Sequence, residues 1–213
     1  MVDRVADALN IPLRERNGLL LAAGCAPAYP ERDLDDEAMA PVRAAIDHLL
    51  HAHEPYPALV VDRHWELLAA NRPVALLIAG ASPELLEPPV NVLRLSLHPD
   101  GVAPRITNLG EWREHILARL HRQALATGDP ALFALHDELS DYTSPGPPSL
   151  LDHAAGTIAV PLRMSTELGE LAFLSTATSF GAAAELTLSE LAIEAFYPAN
   201  AETAERLSAA APQ

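Results

Sequence analysis

The sequence predicts an α+β fold: one antiparallel sheet of about five strands covered by helices. Three observations lead there. Two apolar runs, Ala58–Val61 and Glu66–Ala70, flank a short polar turn and read as a β-hairpin. Helix-spaced apolar positions, punctuated by caps and glycines, then continue to about residue 140. Beyond residue 156 the pattern turns extended, in the runs 157–164, 170–179 and 189–199. A hairpin, several helices and three strands suit a single sheet with helices on one face.

Taken in order, residues 2–9 place Val2, Val5, Ala6 and Leu9 on one helical face. Pro12 opens a second helix with Leu13, Leu19, Leu20 and Leu21 on its apolar side and Gly24 as its stop. Two helices this short cannot bury their stripes against each other alone, so they read as the end of a bundle or a docking arm. The Pro-rich, charged stretch 26–36 (APAYPERDLDD) is a connector, and divides the chain into residues 1–32 and 33–213. Met39, Val42, Ile46 and Leu49 then share a buried helix face, with Pro41 at its first turn or a kink.

After the hairpin, Asn71 is placed to cap a helix that has Pro73 in its first turn and Gly80 at its end. Ser82–Pro83 repeats that start signal. Asn91 begins a short helix or extended segment that stops at Pro99 and Gly101. The clearest helix follows Asn108, where Leu109, Trp112, Ile116 and Leu120 line one face. Asn108 and Glu111 form a capping-box-like pair, and Gly128 closes the helix. Asp129–Pro130 start another, and residues 140–156 are loop by composition.

Composition narrows the function. The formal net charge is −15, and residues 1–32 balance, so the excess lies beyond them: ten Arg against twenty-five acids. Such a body repels phosphate and is not expected to bind nucleic acid by itself. No apolar run reaches the ~18–20 residues of a membrane span, and no signal-peptidase site follows "GLLLAAGCA", so a cytoplasmic location is expected. The single Cys25 excludes an internal disulfide and a multi-cysteine zinc site.

Catalytic patterns are absent: no G-x-S-x-G, no G-x-G-x-x-G and no G-K-[ST]. His48 with His51, and Glu111 with His115, have helical ligand spacing, but no second cluster accompanies either, so no metal and no cofactor is expected. The chain reads as a non-enzyme. Arginines among apolar neighbours stand out instead, namely Arg94 in "NVLRLSL" and Arg163 in "AVPLRMS". Each guanidinium either reaches solvent, pairs with a carboxylate, or anchors an acidic head group in an apolar pocket.

Several long segments carry a resemblance. "LNIPLRERNGLLLAAGCAPAYPE" resembles the last helix and linker of an XRE-type helix-turn-helix domain. "EPYPALVVDRHWELLAAN", "NVLRLSLHPDG", "EWREHILARLHRQ" and "GELAFLSTATSFG" with "ELTLSELAIEAFYPA" resemble the ligand-binding domain of MmyB-like transcriptional regulators. The resemblance implies a PAS-like sheet with helices on one face, a fatty-acid-like ligand in its pocket, and ligand-dependent repression or activation of genes. It implies a homodimer, with DNA contacted only through a helix-turn-helix region whose reading helix would precede this segment. Arg94 is the first choice for the head group, with Asn71, Asn91, Trp112 and Arg163 beside it; Leu67, Leu93 and Phe173 are pocket-wall choices. For Asn71 and Asn91 helix capping is the plainer role, and for Trp112 and the wall residues core packing. A rival reading is a non-catalytic dimerisation module whose interior is filled.

Overall fold

The computed structural model describes residues 2–9, 11–142, 160–180 and 185–211. Its strands are β1 (Ala58–Val61), β2 (Leu67–Ala70), β3 (Leu162–Thr166), β4 (Gly169–Ser179) and β5 (Ala192–Pro198). They form one antiparallel sheet in the order β2-β1-β5-β4-β3, the α+β architecture read from the sequence. The last strand is the central one. β5 pairs with β1 from Ala58↔Ala195 to Val61↔Ala192, and with β4 from Phe173↔Pro198 to Ser179↔Ala192.

The period-2 alternation sorts the strands' side chains to two faces. Leu59, Val61, Leu162, Met164, Leu171, Phe173 and Phe196 join the main core. Against them pack α4 (Val74–Ile78), α5 (Val92–Leu97), α6 (Leu109–Thr127) and α7 (Pro130–Asp141). On the opposite face Ala58, Val60, Ile193 and Ala195 pack on Ile46 and Leu50 of α3 (Ala40–Ala52). Helices therefore cover both faces, where the sequence reading put them on one. The reason is β1, apolar and buried at all four positions, so both of its sides need cover.

Helix α6 buries Leu109, Trp112, Ile116 and Leu120 as expected, and ends at Gly128, whose φ of 65° is left-handed. Asp129 caps α7 by accepting the N–H of Ala131. In α3, Leu50 rather than Leu49 is buried, because the ridge from Ile46 runs i to i+4. Residues 186–189 form a short helix, α8 (Leu186–Ser189), so β5 starts later than the run 189–199 suggested. Of the expected strand 157–164, residues 157–159 lie outside the described ones, as do 143–156 of the expected loop.

A terminal helix, α9 (Ala201–Ala210), was not anticipated. Asn200 caps it by accepting the N–H of Thr203, and the Thr203 hydroxyl accepts the N–H of Ala172 on β4. Leu207 completes its anchorage in the main core.

At the other end lie α1 (Val2–Ala8) and α2 (Leu13–Ala22). Ala6 and Leu20 are buried, whereas Val5, Leu9, Leu19 and Leu21 stay exposed. The faces drawn from the sequence are thus only fractionally covered, since two short helices offer each other too little surface. Within residues 26–36 the chain is tied both to α2 and to the sheet domain. Asn17 Oδ1 accepts the N–H groups of Ala28 and Tyr29, Leu186 donates to the Pro30 carbonyl, and the Thr187 hydroxyl bonds both N–H and C=O of Arg32. Arg14 bridges Glu31 and Glu190.

Candidate functional site

Between the inner sheet face and helices α4–α6 lies a cavity of ≈ 90 Å³. Leu59, Met164 and Phe196 form its sheet side, Leu77 and Leu93 its helix side, and Trp65 and Trp112 its aromatic walls. Leu67, Ile78 and Val92 are half-buried members of the lining. Arg119 and Glu194 are the charged groups among the described lining residues.

Arg119 reaches the cavity because it stands three residues beyond Ile116 and seven beyond Trp112, at the edge of the buried face of α6. Its Nη2 donates to Glu194 Oε1 at 2.5 Å, and its Cζ lies 4.5 Å from the ring centre of Trp65. The Glu194 side chain is 7% exposed and that of Arg119 26%. One turn earlier on α6, burial first and then the charges of Arg119 and Arg122 push the His115 pKa below its ordinary value. His115 stacks on Trp112. The cation that lines the cavity among the described residues is Arg119.

Trp65 has a φ of 69°, a left-handed conformation that is an outlier for so bulky a residue. It follows a type of three-residue hairpin turn in which glycine ordinarily takes the left-handed position. Neighbouring groups hold it there. Asp62 Oδ1 accepts from His64 and Glu66, Trp65 N–H donates to Asp62, and the Trp65 carbonyl accepts the N–H of Val92. The indole N–H donates to Gln123 Oε1 at 2.9 Å. Strain of this kind concentrates at sites that need a fixed geometry.

Of the residues chosen from sequence, Leu67, Leu93 and Trp112 line the cavity. Phe173 is fully buried in the core beside it, edge-on to Phe196. Asn91 caps α5, accepting the N–H groups of Leu93 and Arg94, and ties it to the hairpin by donating to His64 O. Asn71 does not cap α4. Its Oδ1 accepts from Ala58 and its Nδ2 donates to Leu50 O and Tyr56 O, pinning β1 to the end of α3.

Neither of the two favoured arginines lines the cavity. Arg94 forms a two-point pair with Glu138, at 2.7 and 2.8 Å, and Tyr142 donates to the same carboxylate. Arg163 points to solvent from β3, since its strand neighbours Leu162 and Met164 take the inner face. The sequence search weighed immediate neighbours, which suits a strand; on a helix the neighbours that matter are three and four residues away. That spacing from Trp112 and Ile116 was the signal for Arg119. For Glu194 the signal was its place two residues before Phe196, on the same inward face. Among the described residues no group of three His, Cys, Asp or Glu side chains could hold a metal ion. No described helix is long and apolar enough to cross a membrane.

Comparison with known proteins agrees with this architecture. The family model of the MmyB-like transcription regulator ligand binding domain matches residues 42–210, from α3 to the end of α9. No curated protein matches the chain.

Proposed function

Because the chain belongs to the MmyB-like transcription regulator ligand-binding-domain family, we propose that it senses a fatty-acid-like molecule in the cavity beneath Trp65, with Arg119 receiving the acid. The observation that carries this reading is a half-buried guanidinium, paired with Glu194, at the edge of a mostly apolar lining. Leu67, Leu93 and Trp112 take the alkyl chain. The reading is of a non-catalytic, cofactor-free, cytoplasmic homodimer whose occupancy governs DNA binding by a helix-turn-helix region.

Energy and volume set its terms. A dozen methylenes at ~0.8 kcal/mol each give about 10 kcal/mol gross, before the cost of association. At ≈ 90 Å³ the cavity is smaller than the roughly 150 Å³ void that admits benzene. A long chain therefore enters only if the half-buried walls at Leu67, Ile78 and Val92 part. The same small volume favours the rival reading, a filled interaction module acting by dimerisation.

The protein carries its own probe, since its two tryptophans, Trp65 and Trp112, both line the cavity. Titration with saturated fatty acids of increasing length is expected to shift tryptophan emission saturably. A flat titration, together with no fatty acid in a solvent extract of the purified protein, rejects the sensor and leaves the interaction module.

A further inference from the structure

The charge count in the cavity leads one step beyond the acid-sensor reading, on which this inference rests. Glu194 is buried on the central strand, and in register it stands between Leu59 of β1 and Ala177 of β4, neither of them charged. Arg119, from α6, is its one ion-pair partner among the described residues. The Trp65 ring covers the guanidinium from one side. One positive and one negative group thus close the polar end of the cavity on each other.

An acid arriving as an anion meets a guanidinium already neutralised. Two carboxylates on one half-buried arginine repel each other, and the buried position of Glu194 limits how far water screens that repulsion. The contrast with Arg94–Glu138 is instructive: that pair is about 40% exposed on both sides, away from the cavity, where water screens it. Only the Arg119–Glu194 pair stands where a ligand's head group would compete for it.

We propose that Glu194 is an internal stand-in for the ligand's carboxylate, holding Arg119 until a monocarboxylic amphiphile takes its place. Glu194 then sets the affinity threshold: weak acids at low concentration fail to displace it. It also sets selectivity, because an uncharged head group gains nothing from the exchange. Substituting the strand's inward carboxylate removes the competitor while leaving the apolar walls intact.

The test uses dodecanoic acid and 1-dodecanol, each titrated by tryptophan emission into the wild-type chain and Glu194→Gln at neutral pH. Glutamine keeps an acceptor oxygen for Arg119; Glu194→Ala, compatible with the neighbouring Ala195, serves if the glutamine variant does not fold. Either variant is expected to bind dodecanoate about tenfold or more tightly than wild type, with dodecanol affinity changed less than about twofold. Equal dodecanoate affinities, or a gain shared by the alcohol, overturn the stand-in and leave the sensor standing. No response to either probe in any of these proteins removes the sensor reading, and the stand-in with it.

Discussion

Trp65 offers the sharpest test of how the cavity wall is built, because its side chain and its backbone pull stability in opposite directions. Replacing it by alanine removes an indole that is 5% exposed, its hydrogen bond to Gln123 and its contact with Arg119. Loss of a buried aromatic of this size costs about 3–5 kcal/mol. Alanine still has to adopt the left-handed φ of 69°, which costs an L-residue roughly 1–2 kcal/mol. Glycine adopts it freely but gives up about 0.5–1 kcal/mol through the greater freedom of its unfolded chain. Trp65→Gly should therefore be more stable than Trp65→Ala by about 0.5–1 kcal/mol, although it has the smaller side chain. Urea unfolding at fixed temperature, compared at equal m-values, measures the difference. If alanine proves equal or better, the hairpin turn is not strained as described, and the account of Trp65 as a wall held against its backbone preference is wrong.

Two further outcomes follow from the polar contacts. Asn71→Ala leaves the N–H of Ala58 and the carbonyls of Leu50 and Tyr56 without their side-chain partner, and is expected to cost about 2–4 kcal/mol by the same urea assay with little effect on dodecanoate affinity. Glu138 supplies a pH dependence. Its hydrogen bond to Arg94 holds its carboxyl below the ordinary value near 4.5, so its contribution is fully present above that value and lost as pH falls through the folded-state pKa. Because the pair is more than a third exposed, the effect is at most about 1 kcal/mol. Urea midpoints collected down to acidic pH should fall less steeply for Glu138→Gln. Dodecanoate affinity at neutral pH should be unchanged, and a marked gain, from an Arg94 freed of its carboxylate, would return Arg94 to the ligand site.

How much could be read in advance depended on how local the determining contact was. The hairpin at residues 58–70, the buried face of α6 and the Gly128–Asp129 junction are written in short-range periodicity and caps, and all appear where expected. The cover on the second sheet face was less legible. It follows from β1 being apolar on both sides, a pattern that a short run shares with many buried segments. Asn71 and Asn108 show the limit more plainly. Each has the sequence setting of a helix cap, yet neither side chain caps its helix. Asn71 accepts the N–H of Ala58, and Asn108, at the cap position of α6 and bonded to Glu111 as expected, also accepts the N–H of Arg163 and donates to the carbonyl of Pro161. No spacing rule encodes such partners. The candidate site was half legible for the same reason. Its apolar wall at Leu67, Leu93 and Trp112 belongs to periodic elements, whereas the pairing of Arg119 with Glu194 joins residues 75 positions apart.

The position of Glu194 on β5 bears on how occupancy could be reported outward. Four residues earlier, Glu190 accepts from Arg14 of α2 at 2.6 Å, while Arg63 Nε lies 3.8 Å from its other oxygen. Arg63 belongs to the same tight turn as Trp65, and its carbonyl accepts from Gln123, which also receives the Trp65 indole. Two walls of the cavity, the central strand and the hairpin turn, thus converge on one carboxylate that also holds α2. α8, immediately before it, is bonded to the connector through Leu186 and Thr187. Glu190 and α8 are thus the described contacts through which a displacement of β5 or of Trp65 would reach α2 and the connector. Under the proposed sensor reading, α2 would need no contact with the ligand to be affected by it.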